Sequence, residues 1–122
     1  MSNATLLVAS VLTVGAALGH AVLGEQRLVR PLIAARGWAQ SEPLISTVIR
    51  LAWHWTTALI LFTAYVMYVA ATEPASISSS LVMALGLIYL GAALIDLILS
   101  KARHDAWPPM ALIGFLTIYS QI

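Results

Sequence analysis

Four apolar runs, separated by short polar stretches, set the pattern of the chain. They cover residues 6–23, 51–70, 81–99 and 110–122. A helix that crosses a bilayer needs about 20 apolar residues, with a tolerance of a few. The first three runs meet this length, and the fourth does so if it begins near Trp107, because prolines such as Pro108 and Pro109 fit the first turn of a helix. The pattern predicts an all-α integral membrane four-helix bundle, a single transmembrane domain over residues 1–122 with spans at about residues 4–24, 50–71, 79–100 and 108–122. A half-inserted fourth segment is the alternative.

The composition places these helices in lipid. Hydrophobic residues make up 61% of the 122 residues and charged residues 9%, whereas soluble domains are about half apolar and a quarter charged. The net charge of +1 creates no field that would attract nucleic acid. Cysteine is absent from the sequence, which excludes disulfides, thiolate catalysis and cysteine-ligated metal. We therefore expect membrane lipid, and no nucleic acid, among the partners.

Basic residues predict the orientation. The connection at residues 25–43 carries three arginines and that at residues 100–107 carries Lys101 and Arg103, whereas residues 71–80 carry no Lys or Arg. In a four-span chain the first and third connections share a side, and Arg50 lies at the same boundary. The positive-inside rule makes this side cytoplasmic. We expect a multi-pass protein of the bacterial inner (cytoplasmic) membrane, with loops 25–43 and 100–107 inside and both termini outside.

The first connection is expected to bend. Pro31 and Gly37 are both helix breakers in this stretch. Between them the pattern predicts an interfacial segment whose apolar side chains, Leu28, Leu32 and Ile33, face lipid.

Ionisable residues on three helices reach a common depth. His20, His54 and Asp96 each lie about one helical turn, roughly 6 Å, inside the cytoplasmic boundary, and His104 follows just outside it. Polar groups that face lipid tails are costly, so these side chains should meet inside the bundle. Glu25 points away from His20 on a straight helix and joins the group only if the helix ends near Gly24.

Such a cluster is compatible with several chemistries. Two histidines and a carboxylate form a known ligand set for iron, zinc or manganese, and two histidines on separate helices can hold a haem. A chain of His and Asp side chains can relay protons, and an arginine beside them can bind an anionic head group or the polar end of a quinone-like molecule. The alternative is a structural network in which Asp96 pairs with Arg50 or Lys101. The candidate metal ligands are His20, Glu25, His54, Asp96 and His104, and the candidate cofactor-binding residues are His20, Arg50 and His54.

Three short motifs carry a resemblance to a known group. They are His-Ala-Val-Leu-Gly-Glu at residues 20–25, Arg-Leu-Ala-Trp-His-Trp-Thr-Thr at residues 50–57 and His-Asp-Ala-Trp at residues 104–107. With them the chain resembles an uncharacterised family of small four-helix bacterial membrane proteins. In that group an Arg usually follows the Gly-Glu pair, where this chain has Gln26. The resemblance implies the four-helix fold and the site residues His20, Glu25, Arg50, His54, His104 and Trp107. It does not imply a biochemical activity.

For function, the sequence favours an accessory or interaction subunit of a membrane assembly. The chain is small, and Gly15 and Gly19, four residues apart, are typical of helices that approach another helix closely. We expect a homo-oligomer or a complex with other membrane-protein subunits. The alternative is a metal-, haem- or quinone-binding membrane module that uses the His/Asp cluster near the cytoplasmic face. No nucleophile and base stand at usable spacing, so no enzymatic activity is assigned, and a transporter or channel would need several copies to enclose a path.

Overall fold

The computed structural model describes residues 3–122, and all regular structure among them is helical, as predicted. The chain forms α1 (Ala4–Gly24), a π-helical turn (Glu25–Val29), α2 (Arg30–Arg36), α3 (Trp38–Ser41), α4 (Pro43–Thr72), α5 (Ser79–Leu99) and α6 (Trp107–Tyr119). Three continuous helical segments are long and apolar enough to cross a membrane: Ala4–Arg36, Pro43–Thr72 and Ser79–Leu99. The fourth apolar helix, α6, has 13 residues.

The first helical segment runs further than the sequence suggested. Asn3 caps α1 by accepting a hydrogen bond from the Leu6 amide, and the helix continues through the π turn and α2 to Arg36. Pro31 lies in the first turn of α2 and does not break it. The wider π turn just before Pro31 gives its ring room that a regular α turn denies it. The break comes at Gly37, whose φ of 64° requires a left-handed backbone.

One expectation about this segment is wrong. Ile33 was predicted to face lipid, but its side chain is only 3% exposed and packs inside the protein, whereas Leu28 and Leu32 are exposed. The extra residue that a π turn adds rotates α2 relative to α1. The direction in which the apolar face of α2 points therefore could not be predicted from the helical period of α1.

The helices form an open arrangement with one tightly packed end. α1 packs against α4 and α6, and α5 packs against α6, whereas α4 and α5 touch over little of their length. The main core cluster includes Leu6, Met67, Val82, Tyr89 and Ile113. Leu6, Met67 and Val82 lie toward the end at which α1 and α5 begin and α4 and α6 finish, and Tyr89 and Ile113 lie at the middle of α5 and α6.

Hydrogen bonds close this end, which we call the terminal end. The backbone amide of Asn3 donates to the Ala71 carbonyl at 2.9 Å, and its side-chain amide donates to the Ser120 carbonyl at 2.9 Å. Ser79 hydrogen-bonds to the side chain of Gln121. The opposite end, the elbow end, is formed by the π turn, α2, α3, the start of α4 and the turn at residues 100–106.

Glycines bring α5 and α6 close together. A Cβ added at Gly114 would lie 2.8 Å from the Gly86 carbonyl oxygen, and one added at Gly86 would lie 2.6 Å from Ile118 Cγ1. By contrast, nothing lies within 4 Å of an added Cβ at Gly15 or Gly19. The pair singled out in the sequence is therefore not used for packing within this chain.

Candidate functional site

The start of α4 and the end of α1 meet through Trp53. Its indole lies against Gly24, where an added Cβ would collide with the ring unless the side chain of Trp53 moved. The indole Nε1 donates a hydrogen bond to the His20 carbonyl oxygen at 3.0 Å. Its ring also stacks on the His20 imidazole, with centroids 4.2 Å apart and planes within 4°. Trp53 thus fixes the register of α4 against α1 at the elbow end.

Glu25 directly follows Gly24, and its carboxylate lies close to three basic side chains. Its Oε1 accepts hydrogen bonds from Arg30 Nε at 3.3 Å and from Arg50 Nε at 3.1 Å. The His54 Nε2 atom is 3.6 Å from Oε2, within ion-pair range but too long for a hydrogen bond. The Glu25 side chain is 15% exposed, so the carboxylate is largely withdrawn from solvent. We call Glu25, Arg30, Arg50 and His54 the Glu25 cluster.

The π turn explains how Arg30 joins this cluster. In a π-helix, residue i bonds to residue i+5, so the fifth residue on lies above the first. The Arg30 amide indeed donates to the Glu25 carbonyl, and their side chains meet on the same side. In a regular α-helix, positions five apart diverge around the axis. The π turn therefore creates an ion pair that helical periodicity does not show.

Three buried polar atoms near this end have no hydrogen-bond partner among residues 3–122. They are His20 Nε2, Glu25 Oε2 and Thr57 Oγ1. Thr57 lies one turn beyond Trp53 on α4, and it is buried. An unsatisfied buried polar atom costs about 1–3 kcal/mol, so native proteins seldom leave one without a water, an ion or a ligand. The elbow end thus has hydrogen-bonding capacity that the protein does not use itself.

A groove lies beside the carboxylate. Its volume is about 300 Å³, and it is shallow and largely open. Ala21 and Val22 form its apolar part, and Gln26 adds an amide. The remaining lining residues belong to the Glu25 cluster: Glu25, Arg30 and His54. Apolar and charged side chains therefore both line the groove, as a molecule with a polar end and an apolar body would require.

Asp96 and His104 form a separate pair on α5 and the turn after it. His104 Nδ1 lies 2.8 and 3.0 Å from the two carboxylate oxygens of Asp96. Lys101 and Ala102, with φ of 53° and 61°, turn the chain back after α5, which returns His104 to Asp96. The prediction that Asp96 pairs with Arg50 or Lys101 is not what the structure shows, because this turn supplies a closer partner.

The five candidate metal ligands are consequently divided among three places. Glu25 and His54 are together, His20 is stacked on Trp53, and Asp96 is paired with His104. Within residues 3–122 no group of three or more His, Asp or Glu side chains is placed to hold a metal ion. The physical reason is the open arrangement: α4 and α5 make little contact, so equal depth does not bring Asp96 to His54.

The other motif residues have different surroundings. Trp107 is the first residue of α6 and is half-buried. Trp53 and Thr57 were not singled out as site residues in the sequence, although both fall in the motif at residues 50–57. Their spacing of four residues places them on one helical face, which is also the face that carries the buried Ala64 and Met67. This shared face is the sequence feature that could have identified Trp53 and Thr57.

Comparisons with protein-family models, with curated proteins and with solved structures found no match to this chain. The resemblance to small four-helix membrane proteins therefore stays a prediction, and function has to be argued from the geometry of the site.

Proposed function

We propose that the chain is a multi-pass protein of the bacterial inner membrane in which α1, α4, α5 and α6 cross the bilayer as a four-helix bundle. Three segments have the necessary length and apolar character. α6, with 13 residues, extends about 20 Å at 1.5 Å per residue, so it crosses the roughly 30 Å hydrocarbon core only together with the residues that flank it. All six Lys and Arg residues lie in the elbow end or at its boundary. The positive-inside rule then puts the elbow end in the cytoplasm and both termini outside.

The absence of cysteine makes this orientation easy to test. Ala39→Cys lies in α3 and Ala75→Cys lies in the turn between α4 and α5, and both positions are exposed. A membrane-impermeant maleimide added to cells with a permeabilised outer membrane should label Ala75→Cys directly and Ala39→Cys only after lysis. Labelling in the reverse order would overturn the orientation, and direct labelling of both would overturn the four-span topology.

For the site, we propose that the elbow end binds the polar end of an organic amphiphile. The observation that carries this proposal is the Glu25 carboxylate, because one of its oxygens is saturated by two arginines and the other is buried without a partner. A bound hydroxyl or amine would supply the missing hydrogen bond once the carboxylate turns toward the groove that Glu25 lines. Ala21 and Val22 line the groove and precede Glu25 on α1, on its membrane-spanning side, so they suit the apolar body of such a molecule. These features support binding rather than catalysis.

The test compares copurified small molecules. Wild type, Glu25→Gln, His54→Ala and the control Glu42→Gln would be purified in mild detergent, extracted and analysed by mass spectrometry. Glu42 is exposed at the same end and lies outside the Glu25 cluster. We expect one amphiphile at near-stoichiometric amount in wild type and Glu42→Gln, and at least fivefold less in Glu25→Gln and His54→Ala. Equal content in all four proteins would overturn the proposal, as would a haem spectrum or bound metal that His54→Ala removes.

A second candidate function is an accessory subunit of a membrane assembly. The protein exposes 7791 Å², whereas a compact monomer of 13.1 kDa exposes about 6,400 Å². Part of this surface is a stripe on α1 in which Gly15 lies between exposed Val8, Val11, Leu18 and Val22. In lipid, a small residue on such a stripe supports close contact with another helix, in a second copy or in another membrane protein.

Oligomeric state in detergent tests this second function. Gly15→Leu should dissociate a complex that wild type and the control Gly91→Leu retain, because an added Cβ at Gly91 also meets nothing within 4 Å. Light scattering after size exclusion would measure the mass. A wild-type monomer that copurifies with no other protein would argue against the subunit role.

A further inference from the structure

The Glu25 cluster carries more positive than negative charge. One carboxylate faces two guanidinium groups, so one positive charge is left over before His54 is considered. Both arginines bond to Glu25 through Nε. Their terminal Nη amino groups make no hydrogen bond to any residue from 3 to 122, and the two side chains are 67% and 48% exposed. Guanidinium groups arranged in this way can hold the oxygens of a phosphate.

The same cluster needs a hydrogen-bond donor. Glu25 Oε2 is a buried acceptor without a hydrogen-bond partner, because His54 Nε2, at 3.6 Å, is too far away to donate. A hydroxyl in the groove could donate to Oε2, without bringing a further positive charge, once the carboxylate turns to expose that atom to the groove that Glu25 lines. A well-matched ligand therefore meets two requirements at once, an anion for the arginines and a neutral donor for the carboxylate.

We propose that the occupant is an anionic glycerophospholipid whose head group ends in a hydroxyl, such as phosphatidylglycerol. This inference rests on the proposed function and names the class of amphiphile. The phosphate would lie between Arg30 and Arg50, and the head-group hydroxyl would donate to Glu25 Oε2. The acyl chains would leave along Ala21 and Val22. Basic pockets between helices on the cytoplasmic side are a known means of holding anionic lipids.

Other membrane amphiphiles satisfy only one of the two requirements. An ethanolamine head group offers a donor to Glu25, but its own positive charge cancels its phosphate and leaves the excess charge of the cluster uncompensated. A choline head group offers no donor. A quinol offers hydroxyl donors but no anion for the arginines. An anionic lipid with a hydroxyl supplies both and brings the local charge close to neutral.

The experiment measures lipid binding to delipidated full-length protein by native mass spectrometry. The probes are dioleoyl lipids that differ in the head group alone: phosphatidylglycerol, phosphatidylethanolamine and phosphatidylmethanol, an anionic lipid without a head-group hydroxyl. We expect phosphatidylglycerol to bind at least tenfold more tightly than phosphatidylethanolamine and about threefold more tightly than phosphatidylmethanol. Arg50→Gln should abolish the first preference and Glu25→Gln the second. Arg103→Gln, an exposed arginine outside the Glu25 cluster, should change neither, and thermal unfolding would confirm that each variant is folded.

Other results would each contradict a particular part of the proposal. Equal affinity for the three lipids, or an equal loss in Arg103→Gln and Arg50→Gln, would overturn the lipid assignment. Displacement of the lipid by inorganic phosphate at the same concentration would indicate a phosphate site instead. If a quinol binds in a Glu25-dependent manner and the lipids do not, the amphiphile function survives and the head-group inference fails. If wild type binds none of these probes and copurifies with no amphiphile, both fail.

Discussion

The helix pairs α5–α6 and α1–α4 are held together by different means. Between α5 and α6, Gly86 and Gly114 bring the backbones so close that a single methyl group at Gly114 would lie 2.8 Å from a carbonyl oxygen. Between α1 and α4, polar contacts add to an apolar core that includes Leu6 and Met67. Ser10 donates to the Ala64 carbonyl, Trp53 donates to the His20 carbonyl, and Arg50 pairs with Glu25 in the π turn that follows α1.

This difference indicates which helix pair can hold a ligand. Close backbone contact leaves no room for a third molecule, and it maximises dispersion contacts between helices. Polar side chains need hydrogen-bond partners. In the Glu25 cluster this need is only partly met, because Glu25 Oε2 has no hydrogen-bond partner. We infer that α5–α6 serves as the rigid support and that α1–α4 carries the binding site. Four substitutions test this contrast, all measured as free energies of unfolding in mixed detergent micelles.

The largest effect is expected at Gly114. Gly114→Ala should destabilise the protein by about 2–3 kcal/mol, because its Cβ would press on backbone atoms that cannot rotate away. Gly91→Ala is the matched control on α5, where nothing lies within 4 Å, and it should have little effect or stabilise slightly. A loss under 0.5 kcal/mol (roughly the size of a surface effect) at Gly114 would show that the two helices are not closely packed.

Glu25→Gln should have the next largest effect. Replacement of the carboxylate weakens two charged hydrogen bonds and leaves both arginines without a counter-charge, for a loss of about 2 kcal/mol. The same change at exposed Glu42 should stay within about 0.5 kcal/mol. If the two variants were equally stable, the Glu25 cluster would not hold α1 against α4.

Gly24→Ala should cost about 1–2 kcal/mol, less than Gly114→Ala. Its Cβ meets the Trp53 indole, a side chain that can tilt, rather than backbone. The tilt would also disturb the stacking of Trp53 on His20, which a change in tryptophan fluorescence would report. Gly19→Ala, with nothing within 4 Å, is the control. A larger loss at Gly24 than at Gly114 would reverse the order of rigidity proposed for the two pairs.

The smallest effect is expected at Ser10. Ser10→Ala removes a buried 2.8 Å hydrogen bond to the Ala64 carbonyl, and hydrogen bonds between helices in membranes are worth about 0.6 kcal/mol on average. Ser80→Ala, at an exposed position near the start of α5, should be neutral. A loss above about 2 kcal/mol at Ser10 would show that a single polar contact, rather than the set, joins α1 to α4.

The sequence by itself determined the helical class and the segments with the length and hydropathy of membrane spans. These properties depend on local composition: an apolar run of about 20 residues favours a helix whatever surrounds it. Even so, α4 begins at Pro43, before the predicted boundary near residue 50, because polar side chains such as Ser46 and Thr47 can continue a helix outside an apolar run. The depth of each polar residue along its helix could also be predicted from the sequence, which is why His20, His54 and Asp96 could be singled out.

Only the tertiary structure decided which of these residues meet. Glu25 reaches Arg50 across two helices, and the π turn that adds Arg30 breaks the regular period from which helix faces are read. Asp96 is joined to His104 by a turn with two left-handed non-glycine residues, Lys101 and Ala102, which local preference disfavours. Rotation about the helix axis and the separation of helices are set by packing between distant segments. Helical periodicity therefore indicated the depth of each polar group but not its partner.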